Sequence, residues 1–124
     1  QMNYEKASDF EINKAVAEIV YGKSNAQYDP IKKYDGMFCY DVDTEKYDGM
    51  FCYDVDTEKY VDFAPCSDPA DAWPIIVENK INIDFQYGSW PTAEYSEYIY
   101  TDENPLRAAM IVFLKMQDHK EMGK

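Results

Sequence analysis

The sequence of 124 residues has few of the side chains on which most enzymes depend. It contains one histidine, His119, and it lacks a Cys-x-x-Cys pair, a phosphate-binding Gly-rich loop and a Gly-x-Ser-x-Gly motif. A catalytic triad or a histidine-based metal site would need His119 to meet its partners across the fold. A solvated histidine near a helix end is the simpler interpretation. We therefore expect a protein that is not an enzyme and that uses no metal and no cofactor.

Basic side chains are also scarce. Eleven lysines and one arginine stand against 24 acidic residues, which gives a formal net charge of -12. Such a charge repels nucleic acid and anionic membranes and attracts basic surfaces. No apolar run approaches the roughly 20 residues of a membrane-spanning helix. We expect no direct nucleic acid binding and no membrane association, and a basic protein surface is the favoured partner.

Cysteines are few, and their number is odd. The sequence has three, and two of them, Cys39 and Cys52, occupy equivalent positions of a repeat. This pattern does not predict a disulfide framework, and it fits a reducing cytoplasm. The hydrophobic content of 46% is too high for a disordered chain of this charge. Residues 1–124 are therefore predicted to form one domain with its own core.

Three helices are predicted from their start signals. Ser8 and Glu11 form a capping box before an apolar stripe. Pro69 and Pro105 each follow a capping residue, which is the usual position of proline in the first helical turn. The last helix is apolar around more than half of its surface, so we expect it to form the centre of the core. The predicted helices span residues 9–21, 69–79 and 105–118.

A tandem repeat separates the first helix from the second. Residues 33–45 recur identically as residues 46–58, and each copy carries one Lys against three Asp and one Glu. The two copies thus supply half of the net charge. Each copy contains a short strand bounded by turn residues. The simplest outcome is an added hairpin of strands 37–42 and 50–55, followed by a strand at 60–63, although one copy could equally form a loosely held ribbon.

A second hairpin is predicted where apolar and polar residues alternate over 81–87 and the chain returns over 90–100. The order of helices and strands is typical of an α+β domain. We expect one antiparallel sheet of about five strands with the three helices packed on one face.

One group of residues could form a ligand site. Arg107 lies in the first turn of the last helix, where free backbone N–H groups already favour an anion. Together with Asn104 and the aromatic residues Trp73, Trp90 and Tyr95, it could bind a small phosphate-bearing ligand. The alternative is that Arg107 forms an ion pair within the fold and that the tryptophans belong to the core or its rim.

Three segments resemble the NinX family of lambdoid phages and prophages, in the same order along the chain. They are SDFEINK at residues 8–14, PADAWPIIVEN at 69–79 and NPLRAAMIVFL at 104–114. The duplicated segment departs from the family pattern. The resemblance implies a phage accessory protein expressed in the cytoplasm of the infected host, but it implies no mechanism.

Three functions are compatible with these observations. The first is a non-catalytic module that binds host or phage protein machinery, for example as an inhibitor of a host defence complex. The second is a protein that sequesters a nucleotide immune signal through Arg107 and aromatic stacking. The third is a structural or regulatory component of the phage recombination region. The acidic charge and the absence of catalytic motifs favour the first, and homo-oligomers remain compatible with all three.

Overall fold

The structure, a computed structural model, describes residues 2–27, 40–41, 46–47 and 50–122. Within these ranges the chain forms three helices and eight strands. The helices are α1 (Asp9–Val20), α2 (Pro69–Glu78) and α3 (Pro105–Met122). The strands are β1 (Ala26–Gln27), β2 (Tyr40–Asp41), β3 (Lys46–Tyr47), β4 (Met50–Asp54), β5 (Lys59–Phe63), β6 (Asn82–Asp84), β7 (Thr92–Tyr95) and β8 (Tyr98–Thr101).

The strands form two antiparallel sheets of three strands each and one short ribbon. The first sheet has the order β1-β4-β5, the second has the order β6-β7-β8, and the ribbon pairs β2 with β3. Helix α1 packs against the first sheet, α3 packs against the second, and α1 and α3 contact each other. The predicted α+β class is confirmed. The prediction of a single sheet of about five strands covered on one face is not, because the alternation of apolar residues shows that a strand is half-buried but not which strands pair.

Helix α1 begins and ends as its sequence predicts. The Ser8 side chain accepts a hydrogen bond from the backbone N–H of Glu11, and the Glu11 side chain accepts one from the backbone N–H of Ser8. These bonds satisfy N–H groups that the helix itself leaves free. Just beyond the helix, Gly22 has a φ of +92°, a backbone conformation that glycine adopts easily. The predicted helix over 9–21 is confirmed to within one residue.

The two later helices also begin at their predicted prolines. The Asp68 side chain caps α2 by accepting from the Ala70 N–H, and α2 runs through Pro74 without interruption. Helix α3 continues to Met122, four residues beyond the predicted end. His119 and Lys120 lie in its last turn, where basic residues are favoured by the helix dipole. The His119 ring packs edge-on against the Tyr98 ring, with 5.7 Å between the ring centroids.

The second copy of the repeat provides the central strand of the first sheet. Strand β4 pairs with β5 on one side and with β1 on the other, with Ala26 opposite Cys52. The predicted partner of this strand was residues 37–42, of which 37–39 and 42 lie outside the described residues. Tyr40–Asp41 pairs instead with Lys46–Tyr47 across the junction of the two copies. The sequence around β1 predicts a loop, because two residues are too few to show the alternation of apolar and polar residues that is typical of a strand.

The second sheet is a meander of three short strands. The predicted strand over 81–87 is limited to Asn82–Asp84, and Phe85 and Tyr87 beyond it are exposed. The predicted strand over 90–100 divides into β7 and β8 at a turn in which Ser96 has a φ of +55°. The turn was missed because it contains no Gly, Asn or Asp.

Helix α3 forms the centre of the core, as predicted. A continuous run of residues from Ala108 to Leu114 is buried against α1, α2 and the second sheet. Asn13 is the most deeply buried polar residue among those described, and its Oδ1 accepts a hydrogen bond from the Cys66 N–H at 2.9 Å. Within the described part of the chain, no helix combines the length and the apolar content needed to cross a membrane.

Candidate functional site

Arg107 lies between the start of α3 and the segment that precedes α1. Its Nη2 donates to the backbone oxygens of Tyr4 and Ala7 at 2.9 and 2.7 Å, and its Nη1 donates to Asp9 Oδ1 at 2.8 Å. Its Nε lies 3.5 Å from Asp102 Oδ1, and only 12% of the side chain is exposed. The guanidinium therefore holds the N-terminal segment against α3, and these donors point at acceptors of the chain itself.

Asn104 is also bonded within the fold. Its Oδ1 accepts from the backbone N–H groups of Leu106 and Arg107 at 2.9 and 3.3 Å, and its Nδ2 donates to the Cys66 backbone oxygen at 2.6 Å. This side chain therefore caps the backbone N–H groups that were predicted to be free to bind a phosphate. Asn104 thus joins the start of α3 to the loop that precedes α2.

The three aromatic residues of the predicted ligand site lie in different places. Trp73 is on α2 and is 62% exposed, and it lies beside the first turn of α3. Trp90 precedes β7 and is 57% exposed, and Tyr95 ends that strand. Of these three residues, only Trp73 lines the groove described next.

An open groove of about 420 Å³ lies between α2, β6 and the start of α3. Its floor is buried, its rim carries large exposed aromatic side chains, and its one polar lining residue is an asparagine. The lining residues are Trp73, Ile76, Ile81, Asn82, Ile83, Phe85, Pro105 and Leu106. We call it the α2–β6 groove. A volume of this size accommodates large apolar side chains or a small ligand.

The way in which α2 ends builds the floor of this groove. The Ile81 N–H donates to the Ile76 oxygen at 3.0 Å, the Lys80 N–H donates to the Val77 oxygen at 3.2 Å, and Lys80 has a φ of +56°. These two bonds and the left-handed residue are those of a Schellman motif, which brings an apolar side chain after the helix against one in its last turn. Ile76 and Ile81 meet in this way, and both are buried.

The rim of the groove consists of apolar side chains that the fold leaves in water. Trp73 lies one turn before Ile76 on the same face of α2, and Phe85 follows β6 with 72% of its surface exposed. Trp73 was one of the predicted site residues, whereas Phe85 falls within the strand predicted over 81–87. Strand β6 ends at Asp84, so Phe85 lies outside the sheet.

The chain around the groove is strongly acidic. Residues 68–106 contain eight acidic residues and one basic residue, Lys80. The groove itself is lined by no charged side chain. An apolar surface built from such an acidic stretch of chain is suited to a partner that combines apolar and basic groups.

A second groove, of about 410 Å³, lies where the ends of α1, α2 and α3 approach one another. Its walls mix apolar and polar residues, namely Ile19, Val20, Pro74, Ile75, Glu78, Asn79, Phe113, Gln117 and Lys120. The α2–β6 groove is the more apolar of the two and carries the larger exposed aromatic side chains, so it is the stronger candidate for binding.

Two thiols lie buried in the described core. Burial raises the pKa of the Cys52 thiol and of the Cys66 thiol to about 12, and both cysteines are free. Thiols with such pKa values are poor nucleophiles at neutral pH. In the described ranges, no three His, Cys, Asp or Glu side chains lie together as a metal site requires.

The fold and this surface define a small α+β protein with an exposed apolar groove. A family model described as Bacteriophage P22, NinX matches residues 3–117, so the chain belongs to the NinX family of phage proteins, as its three segments predict. No curated protein and no solved structure matches the chain.

Proposed function

We propose that this phage accessory protein is a non-catalytic module that binds a protein through the α2–β6 groove in the cytoplasm of the infected host. The partner belongs to host or phage machinery, and inhibition of a host defence complex is one action that such binding would have. Membership of a phage family and the free thiols Cys52 and Cys66 support this setting.

The observation that carries the proposal is the exposure of Trp73 and Phe85 above a buried apolar floor. Aromatic residues that flank an apolar depression are typical of the centres of protein interfaces, where they supply much of the binding energy. Exposed apolar patches that polar residues surround mark interaction sites in many proteins. Its position beside a folded helix end and a sheet edge makes it a pre-formed surface.

Sequestration of a nucleotide signal is the weaker candidate. A phosphate needs a positive group or free N–H donors, and the α2–β6 groove is lined by neither Lys nor Arg. The Arg107 guanidinium and the start of α3 are bonded within the fold. A thermal shift with cyclic or ADP-ribose-type nucleotides that is lost on Trp73→Ala would favour this function instead.

The test is affinity capture from phage-infected cells with the wild-type protein and two matched variants. Trp73→Ala removes the aromatic residue on the rim, whereas Trp90→Ala removes a similarly exposed tryptophan outside the groove. A partner that binds in the groove is recovered by the wild type and by Trp90→Ala, and its recovery with Trp73→Ala falls at least about tenfold, the effect of losing about 1.4 kcal/mol.

Circular dichroism and thermal unfolding show whether each variant is folded, which the exposure of both tryptophans leads us to expect. Equal recovery with all three proteins would place the interface elsewhere. Failure to enrich any specific protein, at low and at moderate salt, would remove the proposal.

A further inference from the structure

The second sheet has two edge strands, β6 and β8, and their surroundings differ. At the β8 edge, Lys115 Nζ donates to the Ile99 backbone oxygen at 3.3 Å and lies 5.3 Å from the centre of the Tyr100 ring. A charged side chain placed at an edge strand, here a lysine supplied by α3, is a common protection against pairing with another chain. At the β6 edge, no side chain among the described residues bonds to the backbone. Within the described part of the chain, the β6 edge is therefore the open one.

The open edge runs beside the α2–β6 groove. Asn82 and Ile83 of β6 line the groove, which continues to Trp73 on α2. Successive side chains of a strand point to opposite faces. An extended chain laid along β6 would thus place every second side chain in the groove and the others toward solvent. Peptide-binding domains use this arrangement, in which a strand is added between a sheet edge and a helix.

The local charge selects among possible occupants. A second copy of this chain would bring the same acidic segment, residues 68–106 with eight acids and one lysine, against itself. Like charges brought together in this way oppose binding, whereas Lys or Arg side chains opposite the acids favour it. One of these acids, Asp84, is exposed on β6 itself.

We propose that the α2–β6 groove binds an extended, basic segment of a partner protein, which pairs with the β6 edge and alternates apolar side chains in the groove with Lys or Arg side chains facing outward. The inference rests on the proposed function and specifies the chemistry of its partner. Because β6 has only three residues, backbone pairing sets the direction of the segment and the apolar groove supplies most of the affinity.

The test uses Trp73 as a fluorescent reporter. The chain has two tryptophans, so the Trp90→Phe variant leaves only the one on the groove. The probe is a tryptophan-free synthetic peptide of about nine residues, the length of an ordinary strand, in which valine and lysine alternate. We expect a saturable shift of Trp73 emission to shorter wavelength, together with NMR shifts of the Asn82–Asp84 amides.

Two control peptides separate the contributions of charge and backbone. Replacing each lysine by glutamate keeps the apolar face, and we expect it to weaken binding at least about tenfold. N-methylation of alternate backbone nitrogens, made in both registers, blocks pairing along one edge of the peptide at a time. We expect one register to abolish the amide shifts of β6 and the other to leave them.

The outcomes distinguish this inference from the proposed function. It is overturned if no peptide produces a saturable change up to about 1 mM, the weak end of specific binding, or if the lysine and glutamate peptides bind equally. The proposed function stands in those cases if Trp73→Ala still loses a captured partner, which then binds as a folded surface. If the protein instead forms dimers whose fraction rises with concentration, and Phe85→Glu dissociates them, the occupant of the α2–β6 groove is a second copy of the chain.

Discussion

At the scale of single residues, Arg107 shows how one side chain connects distant parts of the chain. It lies on α3, yet it contacts two backbone oxygens and one carboxylate that lie about a hundred residues earlier. The neighbouring Tyr4 hydroxyl donates to Asp118, which attaches the same N-terminal segment to the far end of α3. The interpretation of Arg107 as an intramolecular ion pair, weighed against a ligand site, agrees with this geometry.

Replacing Arg107 by Ala should lower the free energy of unfolding by about 2–3 kcal/mol. The change removes charge-assisted hydrogen bonds and leaves the Tyr4 and Ala7 oxygens without their partner. Urea denaturation followed by circular dichroism measures the loss. Lys14→Ala, at an exposed position of α1, is the control and should change stability by less than about 0.5 kcal/mol. A loss that small for Arg107→Ala would show that the contacts contribute little.

At the scale of elements, the starts of helices were predictable and the pairing of strands was not. Ser8, Asp68 and Asn104 cap helices through bonds to residues two or three positions away, so the local sequence contains the whole signal. The pairing of β4 with Ala26–Gln27 depends on contacts between residues far apart in the chain. A two-residue strand contains no sequence signal for this pairing.

The candidate site was predictable only in part, for the same reason. Trp73 was found because a tryptophan beside a helix start is conspicuous. Ile81 and Phe85 were assigned to a strand face, and their place in a groove depends on the left-handed turn at Lys80. A lysine gives no sequence signal for that conformation, which glycine or asparagine would have given.

The interaction between Asp62 on β5 and Asp71 in the first turn of α2 should make stability depend on pH. Burial raises the pKa of Asp62 and of Asp71, and the charge of Asp71 raises that of Asp62 further. A carboxyl with a higher pKa in the folded chain binds its proton more tightly there. The two groups therefore destabilise the fold when ionised, and the free energy of unfolding falls as pH rises from the ordinary Asp value of about 3.9 through the raised pKa values.

Asp71→Asn should lower the pKa of Asp62 toward its ordinary value and reduce this pH dependence. The asparagine oxygen still accepts the hydrogen bond that Ala64 N–H donates to Asp71 at 2.9 Å. Carboxyl NMR titration and urea unfolding at several pH values measure both effects. Asp84→Asn changes an exposed carboxyl of the other sheet and should leave Asp62 as it is. An unchanged Asp62 titration in Asp71→Asn would refute the coupling.

At the scale of the whole molecule, net charge and groove are expected to act on different stages of binding. The charge of -12 acts over the Debye length, about 8 Å at physiological salt, and draws a basic partner toward the protein before contact. The apolar groove acts only once the surfaces meet. The first affects the rate of association and the second the rate of dissociation.

Kinetics with the captured partner should separate these two stages. Raising the salt concentration from about 50 to 500 mM, which shortens the Debye length severalfold, should slow association several-fold and change dissociation little. Trp73→Ala should speed dissociation and change association little, and Trp90→Ala should change neither rate. Surface plasmon resonance measures all of these rates. Association that is insensitive to salt would show that the acidic charge does not steer the partner.

The tandem copies have a consequence for how this gene can change. Because the copies are identical, removal of residues 33–45 and removal of residues 46–58 yield the same protein. The strand MFCYD that fills the centre of the first sheet survives either event, since Met37–Asp41 and Met50–Asp54 have the same sequence. Lengthening the connection before β4 costs only about 0.6 kcal/mol per doubling. Recombination between the copies can therefore add or remove 13 residues and three negative charges in frame. After either event, Cys52 or the equivalent Cys39 occupies the same position in the core.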